Sequence, residues 1–422
     1  MGQEAVPAVP PPEAPAPVVV ETAPPPPPPA VVYQTAPVVA APPEVSQKDT
    51  PAVEEGEEEA PWYSGFTLGG FVDAYAALRS DNNTRPNFGG VPAGGYYHEA
   101  YVQADGFSLA FAGVDVNYAT EKFGATISLR FGPGTNRFYA ANMSDFGIEN
   151  MTQAFLTYKP TDKLTLDLGQ FGTIYGAEVL ESWRNVNYSR GALYYAMQPF
   201  WHTGLRAKYQ FSDAFAVNAM VVNGVNNLYE NNKSPSLGIQ ALLTPSDAFS
   251  FALGYLGALN PRDDSNGTFQ NFFDAVATVT AGNFKVVANA DLNLYQNAGD
   301  SDTHNFWGVS IAPAYAFTES FGVGLRYEHL QDSANQWLMA RNKIAYDSEN
   351  ENNGFIAANK SVLNTLTATL DIKPVPGYAA NFILRPEFRY EIAGDNYFYN
   401  KDNELSKNFW SVHLGAVVTS MP

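Results

Sequence analysis

Cysteine is absent from this 422-residue chain. In an oxidising compartment its stability would come from backbone ladders and packing, with no disulfide. Charged residues are scarce, at 16 %, where a soluble domain carries roughly 25 %. A basic surplus is missing too. The net charge of −19 excludes a nucleic-acid partner, because phosphates need a basic face. No run of 18 or more apolar residues occurs, which excludes a helical membrane protein. The opening Met1-Gly2-Gln3-Glu4 has neither the basic residues nor the apolar stretch of a secretion signal. Met1 therefore reads as an artificial start on a mature chain.

What the chain does have falls into two textures, 1–60 and 61–422. The first holds 16 of the 30 prolines, with the run Pro24 to Pro29, and ends in Glu54-Glu55-Gly56-Glu57-Glu58-Glu59. That composition favours extended polyproline II and cannot bury a core. The segment is expected to be disordered, and at about 3.1 Å per residue it could reach on the order of 150 Å. Two readings stand: a periplasmic tether with a periplasmic or cell-wall partner, and a spacer with none.

From Trp62 onward, aromatic-rich segments alternate (24 Tyr, 28 Phe and 6 Trp in the whole chain). Phe382, Leu384, Pro386, Phe388, Tyr390 and Ile392 interleave with Ile383, Arg385, Glu387, Arg389 and Glu391. In a strand these sets face opposite sides, one apolar and one mostly charged. The pattern recurs at Phe284 to Leu294, Phe321 to Glu328 and Phe123 to Arg130.

Strands are predicted at 66–78, 107–118, 123–131, 151–158, 164–171, 201–211, 215–223, 236–243, 249–257, 271–280, 284–295, 306–317, 321–329, 362–372, 381–391 and 408–419. The links between them alternate between short and long. Short ones lie at Thr120-Glu121, Pro160 to Asp162, Ser212-Asp213, Pro245 to Asp247, Ala281-Gly282, Thr318-Glu319 and Pro374 to Ala379. Aromatic rings flank the short turns, at Tyr118, Phe123, Tyr209, Phe211, Phe215, Phe249, Phe284, Phe317 and Phe321. Rings gathered at one level form a membrane-interface girdle. The fold expected is all-β: a transmembrane antiparallel up-and-down β-barrel of about sixteen strands, closed because an open edge in lipid leaves backbone groups unsatisfied. Short periplasmic turns put both ends of the barrel, and the proline-rich arm, on the periplasmic side of a Gram-negative outer membrane.

With the apolar set toward lipid, the opposite set lines the lumen. Candidates are Asp73, Arg130, Asp167, Arg206, Lys208, Asp291, Arg326, Glu328, Arg385, Glu387 and Arg389. Interspersed Gly113, Gly169, Gly204, Gly322 and Gly324 leave room. A polar interior of this width implies water inside. Each charge could instead serve a pair with a neighbour, within Arg385 to Glu391 in particular.

The third long loop, 172–200, is too apolar for a solvated loop. Tyr175 to Arg184 reads as a short helix running into Asn185-Val186-Asn187-Tyr188-Ser189-Arg190-Gly191. Folded against the lumen wall, it would bring Glu178, Glu181, Arg184 and Arg190 into a constriction. Packing over the rim or against a neighbouring subunit is the other reading.

The stretches Tyr175-Gly176-Ala177-Glu178, Glu181-Ser182 and Asn185 to Gly191, with Val221 to Asn227 and Gly69 to Tyr75, resemble the OmpL-like putative β-barrel porin family. The resemblance covers about 62–422. It implies outer-membrane pore formation and no defined substrate. The end Val418-Thr419-Ser420-Met421-Pro422 departs from the terminal aromatic usual in such barrels; Trp410 is the nearest strong aromatic.

Weaker signals point elsewhere. Acidic tips such as Asp81-Asn82-Asn83, Asp300-Ser301-Asp302 and Asp347 to Glu351 lack EF-hand spacing, and the five histidines lack metal-ligand spacing. No metal or cofactor is expected. Ser411 and His413 share a strand face, but a hydrolase also needs an orienting carboxylate and an oxyanion site, so no enzyme is expected. The function expected is a water-filled channel for passive diffusion of small hydrophilic solutes and ions, narrowed by 172–200. Its partners would be outer-membrane lipids and those solutes, and a homo-oligomer stays open. The competing readings are an anchoring or adhesion protein working through its arm or loops, and a substrate-specific channel. Outside the first 60 residues, 33 acidic residues face 23 basic ones, a weak pointer to cation preference.

Overall fold

The computed structural model describes residues 62–80, 106–135, 150–230, 234–258, 270–296, 302–334, 361–376, 381–396, 398–402 and 404–421. The proline-rich segment 1–60 and the acidic tips at 81–83 and 347–351 lie outside them.

Sixteen antiparallel strands close into one barrel. They are β1 (Phe66–Arg79), β2 (Gly106–Ala119), β3 (Phe123–Phe131), β4 (Met151–Thr161), β5 (Leu164–Gly172), β6 (Trp201–Ser212), β7 (Phe215–Val222) and β8 (Ser236–Ser246). Next come β9 (Phe249–Ala258), β10 (Gln270–Ala281), β11 (Phe284–Tyr295), β12 (His304–Ala316), β13 (Phe321–Asp332), β14 (Ser361–Ile372) and β15 (Asn381–Ala393). A small ribbon, β16 (Phe398–Tyr399) with β17 (Leu405–Ser406), precedes the last barrel strand, β18 (Asn408–Thr419). Consecutive barrel strands pair, and β1 pairs β18 from Phe71 opposite Thr419 to Arg79 opposite Ser411. Closure leaves no strand edge to face hydrocarbon.

The turns follow from local chemistry. The Thr120 hydroxyl accepts from the Phe123 amide at 3.0 Å between β2 and β3. Thr161 does the same for Leu164 at 3.2 Å between β4 and β5. Between β10 and β11 the chain reverses through Gly282 at φ +58°, a left-handed conformation that a Cβ disfavours.

Alternation sorts the faces as expected. On β15, Arg385, Glu387, Arg389 and Glu391 are buried inward, while Phe382, Phe388 and Ile392 are exposed outward. Rings beside the short turns are exposed, save half-buried Tyr118, and in contact: Phe66 with Tyr118 at 4.7 Å, Phe123 with Tyr158 at 5.2 Å, Phe317 with Phe321 at 5.4 Å between centroids. These apolar faces meet lipid.

The interior is less uniformly polar than the alternation implied. Near the long-loop ends of the strands, inward Tyr75, Phe111, Tyr295, Phe306, Leu330 and Phe409 join Tyr188, Leu193, Tyr194 and Trp201 in one buried apolar cluster. The packed core of this barrel therefore sits in its lumen, and much of it belongs to the segment between β5 and β6.

Candidate functional site

The segment after β5 turns inward at Gly176, whose φ of +88° is open to glycine at little cost. Just before it, the Tyr175 hydroxyl donates to the Tyr255 carbonyl on β9 at 2.7 Å. Its side chain fills space that side chains on Gly238 and Gly254 would take, since their Cβ atoms would lie 2.5 Å from its hydroxyl and 2.6 Å from its ring.

Across the lumen, the Tyr188 hydroxyl and Ser182 Oγ donate to the two carboxylate oxygens of Asp73 on β1, each at 2.7 Å. β9 stands eight places from β1 in either direction round the ring. The loop is thus tied to opposite walls.

Between these ties the wall charges hold loop backbone. Glu387 accepts the amides of Tyr188 and Ser189 at 2.7 and 3.1 Å. Arg385 donates to the carbonyls of Ser182, Asn185 and Val186, the last two at 3.0 and 2.8 Å, and pairs with Asp371 at 2.6 Å. Arg326 donates to Glu178 at 2.5 Å and to the Ser189 carbonyl at 2.8 Å, with Glu328 at 3.2 Å. Glu328 accepts the Leu193 amide at 3.0 Å. Arg389 donates to the Arg190 carbonyl at 2.8 Å and to Glu391 at 2.5 Å. Ion pairs within Arg385 to Glu391 are therefore local to Arg389 and Glu391, while Arg385 reaches the neighbouring strand β14. Asp73, Glu328, Arg389 and Arg190 are each 0 % exposed.

The remaining sequence-derived candidates separate into smaller groups. Glu181 pairs with Arg130 at 2.7 Å, and Arg130 with Asp115 at 2.6 Å. Arg190 lies buried over the Phe111 ring at 5.7 Å and donates to the Leu180 carbonyl. Asp291 accepts from Gln198 at 3.0 Å. Asp167 pairs with Arg206 at 2.7 Å, and that guanidinium lies 4.4 Å from the Phe171 centroid, apart from the loop's centre. Arg184 and Lys208 are half-buried, and neither has an ion-pair partner among the described residues.

One local expectation is corrected. Tyr175 to Arg184 is not a helix: only Ser182–Arg184 forms a 3-10 turn, and the α-helix comes later, at Ala192–Met197. The reason is where the backbone groups bond. Gly176 and Ala177 donate to Asp274 and Asn289 on the wall, at 3.1 and 3.0 Å, and Val179 donates to Asn185 at 2.9 Å. With those donors engaged elsewhere, the helical ladder has nothing to close.

The glycines are corrected as well. A Cβ on Gly324 would lie 2.5 Å from the Val186 carbonyl, and one on Gly415 2.3 Å from the Tyr188 ring. At these two positions the loop fills the room; at Gly113 it is the Phe71 ring and Arg130, and at Gly169 and Gly204 the backbone of the adjoining strand. Sequence reasoning missed Tyr188, Ser182, Asp274 and Gln198. Spacing carries no trace of them, although glycines on inward positions of several strands mark a body packed against the wall.

Ser411 and His413 lie inward on β18, and Ser411 is fully buried. The Tyr188 ring stands 6.5 Å from His413, and Glu387, 3.8 Å from that imidazole, already holds loop amides. Among the described residues no cluster of three metal-ligating His, Cys, Asp or Glu side chains occurs.

No curated protein matches the sequence. Among solved structures, the barrel is similar to outer-membrane OmpT of Vibrio cholerae, with TM-score 0.53, 13 % identity, and 84 % of this chain and 97 % of that one covered. It is similar to the anion-selective porin of Comamonas acidovorans at TM-score 0.53 and 12 % identity, covering 84 % and 99 %. The high-pH structure of OprB from Pseudomonas putida gives TM-score 0.50 and 15 % identity, covering 84 % and 93 %. At such identities the likeness concerns the fold. The family model "Putative beta-barrel porin-2, OmpL-like" matches residues 65–418, and the chain belongs to that family of outer-membrane porins.

Proposed function

We propose that this protein is a channel of the Gram-negative outer membrane that passes small hydrophilic solutes and ions by diffusion, narrowed by the loop 172–200. One observation carries the reading: the loop is bonded to Asp73 on β1 and to Tyr255 on the opposite strand β9. A segment tied across a lumen restricts what passes beside it. Glu178, Glu181, Arg184 and Arg190 all lie on that segment. The lumen charges Asp73, Arg326, Glu328, Arg385, Glu387 and Arg389 act chiefly as its anchors, while Arg184 and Lys208 are left for passing solute. Ions are the solutes that such charges would sense.

The burial of those anchors favours a restricted channel over a general one, because little water reaches them. The barrel begins and ends at the rim that carries the short turns, which supports a periplasmic arm and C-terminus. No catalytic role is assigned.

The test is single-channel conductance in a planar lipid bilayer. Purified protein gives discrete current steps, and deletion of 176–190 raises the step size. A correctly inserted barrel that passes no current in either form overturns the channel reading. Equal steps from both forms overturn the narrowing.

A further inference from the structure

Where the loop meets β10 and β11, two carboxylates face each other with nothing to neutralise them. Asp274 and Asp291 are direct register partners on neighbouring strands, and they are 1 % and 3 % exposed. Among the described residues no Arg, Lys or His stands within ion-pair distance of either. By contrast, Glu178, Glu181 and Glu328 each have an arginine within ion-pair distance.

The surroundings leave few other charges to consider. The strand flanking Asp274 presents Gly254 in register, and the strand flanking Asp291 presents Gly308. From the loop come the Tyr175 ring beside Gly254, the Gly176 and Ala177 amides, and the Gln198 side chain. Tyr175 has its hydroxyl committed to the Tyr255 carbonyl. Beyond Tyr175 stands His202, its ring 6.4 Å from that of Tyr175.

Adjacent buried carboxylates cannot both ionise cheaply, so such a pair binds either one proton or a metal cation. The amide between them decides which. Asn289 Nδ2 donates to Asp274 Oδ1 and to Asp291 Oδ1, at 3.0 Å each. Its orientation is fixed from the other side, where Asn289 Oδ1 accepts from the Ala177 amide at 3.0 Å and from Gln198 at 2.5 Å. The space a metal would need is occupied by an N–H group. A shared proton remains.

We propose that Asp274 and Asp291 are the positioning residues for both ends of the loop, and that they hold it as a pair sharing one proton. Gly176, where the loop turns inward, donates to Asp274, and Gln198, where it leaves, donates to Asp291. Loss of the proton puts two negative charges side by side in a dry site. Water must enter to solvate them, and it can do so only if Gly176 and Gln198 move off the wall. Docking is therefore firm at low pH and loosens as pH rises. The inference rests on the channel reading only in so far as the loop controls current.

The absence of native cysteine allows a spin label at Ala196→Cys, on the helix beside Gln198, in the otherwise intact chain. The expected result is a severalfold rise in the mobile component as the pH is raised, together with rising conductance. In Asp274→Asn and Asp291→Asn, each of which removes one of the two charges, the label signal stays flat. No rise in the parent, or the same rise in both variants, overturns the latch. So does a transition displaced by adding calcium, which would make the occupant a metal. A heat-modifiable band on unboiled gels certifies each barrel as folded, and if one variant fails to fold, the other decides. A silent bilayer with a pH-dependent label signal sinks the channel reading and leaves the latch standing.

Discussion

Arg326 on β13 and Glu178 of the third long loop, 148 positions apart in sequence, meet across 2.5 Å in the barrel interior. The guanidinium also holds the Ser189 carbonyl and faces Glu328. One side chain thus gathers two separate stretches of loop against the wall, and removing it strands two carboxylates rather than one.

Arg326→Met should cost about 3–5 kcal/mol, the usual penalty for leaving buried charge without its partner. Arg326→Lys should recover only part, because a lysine cannot span both Glu178 and the Ser189 carbonyl in a planar fork. Combining Arg326→Met with Glu178→Gln should be less harmful than Arg326→Met alone. Urea midpoints followed by tryptophan fluorescence and gel mobility rank these forms together with Glu178→Gln alone, and additive effects would deny the coupling.

At Asp73, both carboxylate oxygens accept loop hydroxyls. Asp73→Ala leaves Tyr188 and Ser182 without acceptors, at about 1–3 kcal/mol each. The loop should then lift far enough for trypsin to cut at Arg190, which is fully buried in the native fold. Identical cleavage patterns for wild type and variant would show that the tie to β1 does not restrain the loop.

Gly415 tests the packing of the loop independently of charge. A Cβ there would lie 2.3 Å from the Tyr188 ring, so Gly415→Val should destabilise the barrel by about 1–3 kcal/mol through overpacking. Tyr188→Ala in the same chain should relieve much of that cost, a non-additivity expected of touching residues. Thermal melting monitored by circular dichroism reads it.

The outward face makes a separate prediction. Leu168, mid-strand on β5, is 58 % exposed. Leu168→Arg should cost about 2–4 kcal/mol if that face meets the bilayer centre. Thr165→Glu, on the inward side and opposite Lys208, should be tolerated, since it brings opposite charges together. Refolding yield into detergent and lipid distinguishes the two, and equal losses would argue against the assignment of faces.

Much of the barrel was readable because its causes are local. The limits of β3, β11 and β18 coincide with those read from alternation and turn residues, and the ends of the other strands differ from them by at most three residues. Alternation is a property of each strand alone, and the turns are set by a few adjacent residues. Asp274 was not legible as a site residue because β10 alternates less cleanly: Val276 and Thr278 continue its inward side with no charge to mark it. The helix was misplaced for a related reason. Tyr175 to Arg184 has a helical composition, but its amide hydrogens found acceptors on Asp274 and Asn289, which lie about a hundred residues away.

By itself, then, the sequence determined the sixteen strands, their faces, the aromatic rim and the likeness to an outer-membrane porin family. Each depends on a period of two or on residues in contact along the chain. Only the tertiary structure decided what the lumen charges do. Closing the ring brings Arg326, Arg385, Glu387 and Asp73 around one loop, and an unpaired backbone amide or carbonyl in a dry interior is costly enough that those charges bond to it rather than to water.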